Sequence, residues 1–474
     1  MNKTNNKLQL LSTSPVPKAL LALGIPTMIG MMVNALYNLA DTYFVAGLGT
    51  SQNGAISVAF PIGQIIVGLG LLFGNGAASY ISRLLGKGQK DIAEKTASTA
   101  VYSSLFIGAV IIIITSIFLT PILKLLGATE SILPYAQIYT RIYIISSIFN
   151  VFNVTMNNIV TSEGSAKTTM FALLSGAVLN VILDPIFIYT LDFGVAGAAI
   201  ATAISQIVST LIYIQYILRK KSNFSFSIKE YSFTKEIISE ILKIGIPTLV
   251  FQILSGVSIA MISRLAKDFG YGDSVIAAMG NVSKVISVGS LMVFGFIKGF
   301  QPIAGFSYGA GNYDRLKKSI KTSLLWSTGF CILFGISTAV FSTEIMSMFT
   351  QNDSRLIETG SKALIANGVT FILFGFNTVF SSLFLAIGKA TKGFILGACR
   401  QGLCFIPIVV FMNFSFGLNG IIYSQPTADV ITAIITAIMA AGGFTKKFLI
   451  IITIYKPEFF QSASYSTFAS VKSF

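Results

Sequence analysis

Twelve long apolar runs, at roughly 19–40, 55–80, 97–119, 135–159, 169–190, 195–217, 240–263, 275–300, 319–341, 360–384, 394–413 and 418–440, leave this chain few ways to fold. Each has the ~20 residues that an α-helix needs to cross the hydrocarbon core of a bilayer. Backbone N–H and C=O groups find no water there, so such a run must satisfy them internally, as a helix. Composition points the same way: 53% of the residues are hydrophobic and 11% charged, against about 25% charged in soluble domains. The expected fold class is all-α integral membrane, with twelve transmembrane helices. The first seventeen residues, MNKTNNKLQLLSTSPVP, lack the apolar region of a signal peptide, so the first run is expected to direct insertion itself. The segment FLIIITIY is too short to span, and 444–474 reads as a tail.

The net charge of +15 invites a nucleic-acid reading, but the placement of Lys and Arg rejects it. With the N-terminus inside, the inner segments carry 25 of the 33 basic residues and the outer loops carry Lys124, Arg264, Lys267, Arg355 and Lys362. Arg141, Lys284 and Lys298 fall in or near spans. This is the positive-inside pattern of a membrane protein with both ends in the cytoplasm. The lysine-rich composition suggests an AT-rich bacterial genome, hence the bacterial cytoplasmic membrane. Cys331, Cys399 and Cys404 show no metal-ligand spacing, and there is no histidine. Any proton chemistry then falls to carboxylates, and no cofactor is expected.

The chain also repeats itself at an offset near 222. LALGIPTM at 21–28 returns as LKIGIPTL at 242–249, DPIFIY at 184–189 pairs with IPIVVF at 406–411, and FGVAGAAI at 193–200 pairs with FGLNGIIY at 416–423. The expected organisation is a six-helix lobe over 1–217, a linker over 218–239, a homologous six-helix lobe over 240–443 and the tail over 444–474. An even number of spans per repeat makes the lobes parallel, an arrangement of transporters that handle substrate between halves. Pro26 and Pro247 fall at matching places, as hinges or as ordinary helix-start residues.

Ionisable groups inside a bilayer are costly and tend to act. Asp184 lies within span five, with Asn180 one turn before it on the same face. On span one, Asn34, Tyr37, Asn38 and Asp41 form an i, i+3, i+4, i+7 stripe that ends at the outer face. Thr202 and Gln206 of span six and Tyr139 of span four fall at similar depth. Neither acid recurs in the second lobe, where Asp41 maps to Ser263, Asn180 to Gly402 and Asp184 to Ile406. An acid pair present in one half only suits a coupling site better than a need of the fold. The second lobe's own buried acid is Asp429, with Gln425 as a nearby partner.

With NALYNLADTYFVAGLG, EGSAKTTM, NVILDPIFIY, GVAGAAIAT and QPIAGFSYGAGNYDR in place, the chain resembles MATE (multidrug and toxic compound extrusion) transporters over about 18–443, nearest in pattern to the MepA-like branch. The resemblance implies efflux of drugs or toxic organic cations, driven by H⁺ or Na⁺ entry. It assigns Asp41, Asn180, Asp184, Thr202 and Tyr139 to the coupling network; the oxygens of Asp41, Asn180, Asp184 and Thr202 could also hold Na⁺. Tyr37, Asn38, Asn34, Gln206 and Asp429 are the weaker candidates for the substrate pathway. Some members carry a span-seven glutamate; here span seven holds Gln252 and Ser255, which favours the first lobe. The expected partners are small-molecule drugs and the lipid bilayer, with the protein acting as a monomer. The alternative is a flippase of lipid-linked oligosaccharides. It should line its cavity with charge for a pyrophosphate head, whereas the clear interior charges read here are acids.

Overall fold

The structure, a computed structural model, describes residues 3–268, 273–350 and 353–443, so the 444–474 tail lies outside the described residues. Among the described residues there is no strand. A short helix, α1 (Lys3–Ser12), precedes the spans. The first lobe comprises α2 (Val16–Ala46), α3 (Thr50–Gly86), α4 (Lys90–Ile117), α6 (Leu133–Ser162), α7 (Ala166–Pro185) and α8 (Gly194–Leu218). The second comprises α9 (Lys235–Asp268), α10 (Asp273–Gly309), α11 (Tyr313–Val340), α13 (Ser354–Ala386), α14 (Ala390–Ala398) continued by α15 (Phe405–Phe416), and α16 (Leu418–Gly443). Short helices α5 (Leu119–Leu125) and α12 (Ser342–Ser347) recur after the third span of each lobe.

Eleven spans are long and apolar enough to cross a membrane by length and composition alone. The twelfth, α6, has 30 residues and is made more polar by Asn150, Asn153, Asn157 and Asn158. Several helices outrun the apolar runs that announce them. Helices α3 and α10 have 37 residues each, about 55 Å at 1.5 Å per residue, against ~30 Å of hydrocarbon. Hydropathy marks the depth of the lipid, not the end of the helix. Side chains that face lipid are apolar and uncovered, as at Phe106, Ile113, Ile117, Leu211, Leu333, Ile336 and Ile438.

Each lobe has two apolar cores, one toward the end that carries the 218–239 linker and one toward the far end. In the first lobe these gather around Tyr80, Met156 and Tyr213 and around Ile62, Tyr139 and Val195. In the second they gather around Phe300, Phe371 and Phe384 and around Met279, Phe405 and Ile421.

The repeated GIPT motif sits at the seam between lobes. Pro26 and Pro247 lie well inside α2 and α9, so the helix-start reading does not hold. Each proline deprives the preceding turn of one N–H donor. The following threonine turns back to that turn: Thr27 Oγ1 donates to the Leu23 carbonyl (2.8 Å) and Thr248 Oγ1 to the Ile244 carbonyl (3.0 Å). Both hydroxyls also reach the other lobe. Thr27 Oγ1 lies 2.5 Å from the Gly295 carbonyl, and Asn75 Nδ2 donates to Thr248 Oγ1 (3.2 Å).

Contacts that join the lobes lie toward the linker end. Arg83 pairs with Glu240 (2.8 Å), Ser79 Oγ donates to the Leu385 carbonyl (2.6 Å) and Lys298 Nζ donates to Asn157 Oδ1 (3.3 Å). Backbones approach closely there: a Cβ on Gly76 would overlap the Ile241 carbonyl, and one on Gly309 the Arg83 carbonyl. Toward the far end, a Cβ on Gly256 or Gly280 would meet nothing within 4 Å. The seam is therefore sealed at the linker end.

Candidate functional site

Asp184 is held where its helix changes form. Pro185 follows it and has no N–H to give, and the chain then widens into a π-helical turn, Ile186–Thr190, before entering α8. Asp184 and Asn180 are 0% and 1% exposed, at the i, i+4 spacing that stacks side chains on one face. Asn180 Nδ2 bridges two elements. It lies 3.3 Å from Asp184 Oδ1 on its own helix and 3.4 Å from Thr202 Oγ1 on α8.

Asp41 approaches from α2, and the two carboxylates are within electrostatic reach of each other. Tyr37 and Tyr139 are within reach of both. Tyr143, one turn beyond Tyr139 on α6, stacks on it at 5.8 Å between ring centroids and is within reach of Asp41. The sequence reading missed Tyr143, although its i, i+4 relation to Tyr139 was visible. Asn34 is half-buried on the same helix as Tyr37 and Asp41. The side chain of Asn38 lies outside the described residues.

Asp41 Oδ1, Asn180 Oδ1 and Asp184 Oδ2 are all buried and have no hydrogen-bond donor among the described residues. Unpaired polar atoms are costly in a dry interior, and buried carboxylates more so. Two carboxylate oxygens and an amide oxygen are thus acceptors without donors, with the Thr202 hydroxyl beside Asn180. Such a set suits a proton or a small hard cation bound by oxygens. The site is mechanically tied to α2: Tyr189 of the π turn donates its hydroxyl to the Phe44 carbonyl (2.5 Å), near the far end of that helix.

Gln206 does not join this group. Asn153 Nδ2 donates to its Oε1 (2.8 Å) and to its carbonyl (2.9 Å), and Thr210 donates to Asn153 Oδ1 (2.9 Å). Gln206 stands at mid-helix on α8, and its direction round the helix sends it to the α6–α8 joint.

The second lobe requires a larger correction. Arg400, counted among the inner-end charges, is buried inside the lobe on a π-helical turn, Cys399–Leu403, that interrupts span eleven between α14 and α15. Its Nε lies 2.9 Å from Asp429 Oδ1 as an ion pair, and that oxygen accepts a hydrogen bond from Gln425 Nε2 (2.9 Å). The interior charges are thus not acids alone. The position of Arg400 inside the 394–413 run was the available signal. Arg141 and Lys284 are exposed, and Lys298 spans the seam to Asn157.

A further charged cluster sits at the linker end. Glu163, which closes α6, is 0% exposed. It accepts from Tyr216 Oη, from Ser222 Oγ (3.0 Å) and from the Asn223 N–H (2.6 Å), with Lys7 Nζ 3.9 Å away. Burial pushes its carboxyl above the ordinary 4.5, although Lys7 and the hydrogen bonds pull the other way. Burial also holds Lys7 below its ordinary 10.5.

Comparison with known proteins gives the family and the fold. The sequence profile of the MatE family matches residues 26–186 and 244–411, one stretch in each lobe. The multidrug export protein MepA of Staphylococcus saprophyticus is 31% identical over 434 residues, covering 91% of this chain and 94% of that protein. A crystal structure of MATE in a straight conformation overlays with a TM-score of 0.86 at 27% identity, covering 94% of this chain and 97% of that one. One in a bent conformation overlays at 0.84 with the same identity, covering 94% and 98%. With both lobes matched, and a relative of this similarity aligned along nearly its whole length, the chain belongs to the MATE transporter family, on its MepA-like branch.

Proposed function

We propose that the protein is an ion-coupled antiporter that exports organic cations and amphiphilic toxic compounds from a bacterial cell by alternating access. The linker end, with both termini, faces the cytoplasm. The observation that carries this reading is that Asp41, Asn180 and Asp184 of the first lobe each keep a buried oxygen with no donor among the described residues, the two carboxylates lying within electrostatic reach of each other. A proton or Na⁺ entering from the far end satisfies them. The lobe that bears the coupling ion is then electrically distinct from the second, where Arg400 already compensates Asp429.

Coupling requires that the ion bind the two conformations unequally. The tie from Tyr189 to Phe44 and the hinge at Pro26 offer the physical route. Filling the site changes the geometry of the π turn, which moves the far half of α2 against the proline-weakened middle. Drug held beside α2 is then displaced outward. The relatives' straight and bent structures support motion between two conformations within the family. The seam sealed at the linker end corresponds to an outward-facing state, after cargo has left and before the lobes part on the cytoplasmic side. A flippase reading is disfavoured because the first-lobe carboxylates repel a pyrophosphate head.

The test is transport by purified protein in liposomes under separately imposed proton and sodium gradients. Asp184→Asn keeps the shape and removes the charge. It should leave cation binding within about threefold of wild type and lower gradient-driven efflux at least a hundredfold at matched abundance. Near-normal efflux by this variant would mean that Asp184 is structural.

A further inference from the structure

The second lobe contains a cation already in place. Guanidinium is costly inside a bilayer, so a buried arginine needs a reason. Scaffold need is a weak one, because the lobes build the same joint without it. Aligning Phe193 with Phe416 puts Gln206 at the place of Asp429 and Thr202 at that of Gln425; aligning Gly164 with Gly388 puts Asn153 at that of Asn377. Asn153 Nδ2 donates to the Gln206 carbonyl (2.9 Å), and Asn377 Nδ2 donates to the Asp429 carbonyl (3.4 Å). The asparagine-to-backbone bond is common to both lobes. The carboxylate and the arginine are added only in the second. A buried ion pair is also no better for stability than well-packed apolar residues of similar volume.

The surroundings of Arg400 describe what the place recognises. Its Cζ lies 4.4 Å from the centre of the Phe374 ring, and its Nε is 2.9 Å from Asp429. An aromatic face with one carboxylate is the chemistry that holds soft organic cations. A chain of rings leads from this place to the seam. Phe374 meets Phe294 edge-on at 5.4 Å, and Phe294 meets Phe251 at 6.4 Å. Phe374 is fully buried, whereas Phe294 and Phe251 are half-buried on α10 and α9, the helices that face the other lobe. Phe294 adjoins Gly295, whose carbonyl lies 2.5 Å from Thr27 Oγ1 across the seam.

We infer that Asp429 and Phe374 form a recognition site for monovalent organic cations, and that Arg400 is its tethered competitor. With the linker end sealed, the guanidinium fills the site, so a cation released to the far side does not rebind there. When the lobes part on the linker side, the π turn that carries Arg400 gives way and cargo takes its place. This rests on the reading of the protein as a cation exporter, and it supplies the difference in cargo affinity between states that export needs.

The experiment is equilibrium binding of tetraphenylphosphonium to the purified full-length protein in detergent, without any ion gradient. Arg400→Met keeps length and removes charge. It should bind at least tenfold more tightly than wild type, and Arg400→Met/Asp429→Asn should fall back to wild-type affinity or weaker. Millimolar methylguanidinium should compete in Arg400→Met and more weakly in wild type, where Arg400 already occupies the site. Unchanged or weaker binding by a monodisperse Arg400→Met, or tightening that survives loss of the carboxylate, overturns the inference. Should Arg400→Met fail to fold, Phe374→Leu decides: at least fivefold weaker binding than wild type supports the site, and equal binding overturns it. If wild type exports and binds the probe but Arg400→Met is no tighter, this inference alone fails. If no form binds or exports the probe, the cation-exporter reading fails with it.

Discussion

At the scale of single residues, Asp184 and Glu163 are both fully buried acids, but their neighbours differ. Asp184 has an amide and a hydroxyl beside it and an oxygen with no donor. Glu163 is surrounded by donors and a lysine. Its pH behaviour follows from the upward shift of its carboxyl. Between its ordinary 4.5 and its raised native value, the folded protein holds a proton that the unfolded chain releases. Glu163 therefore favours folding most at low pH, and that contribution is lost as pH rises through the native value. Lys7, shifted down, acts with the opposite slope on the alkaline side, below 10.5. The thermal midpoint should fall as pH is raised from 4.5 through the raised native value of Glu163, and Glu163→Gln should flatten that slope; an unchanged slope would assign it elsewhere. Ile406 stands at the repeat position of Asp184 and packs beside the far-end core of the second lobe. Ile406→Leu should cost less than about 1.5 kcal/mol and leave efflux within twofold of wild type, a control for Asp184→Asn.

At the scale of elements, α1 is the surprise, since the sequence reading gave it no structure. Its Lys7 donates to Tyr216 Oη (2.5 Å) of the first lobe, while Leu11 is fully buried in the linker-end core of the second. Arg315 of α11 closes its C-terminal end, donating to the carbonyls of Leu11 (2.9 Å), Leu10 (3.1 Å) and Ser14 (2.5 Å). The Leu10 and Leu11 carbonyls are among those a helix end leaves without partners, and Ser14 follows just beyond it. The helix thus bridges the two lobes at the sealed end. Arg315→Ala should strip that cap at a cost of about 1–3 kcal/mol in local stability. A cysteine placed at Leu11 should then be labelled at least tenfold faster by a soluble maleimide; unchanged protection would show that Arg315 does not hold α1.

At the scale of the whole molecule, closure depends on glycines that let backbones touch. Gly309 lies against the Arg83 carbonyl and Gly76 against that of Ile241, close to the Arg83–Glu240 pair. Gly309→Val forces the linker ends of α3 and α10 apart. Cysteines at Arg83 and Glu240 should cross-link readily in the parent and at least tenfold more slowly with Gly309→Val, with efflux lost. Equal cross-linking would mean that closure does not pass through this contact.

The sequence by itself determined the spans, the parallel repeat and the chemistry available. Lipid forbids unpaired backbone, so ~20 apolar residues leave only a helix. It also put Asn180 and Asp184 on one face, because i, i+4 spacing is a local property of the helix. What it could not determine was direction and partnership. Gln206 and Thr202 share a depth on α8, yet one turns to Asn153 and the other to Asn180. Arg400 reads as an end-of-span charge until a π turn rotates it inward to Asp429. Pro26 and Pro247 read as helix starts or as hinges until the structure puts them well inside α2 and α9, at the seam. Hydropathy records how deep a residue sits; which neighbour it meets, and which end of the seam is closed, is decided only when twelve helices pack against one another.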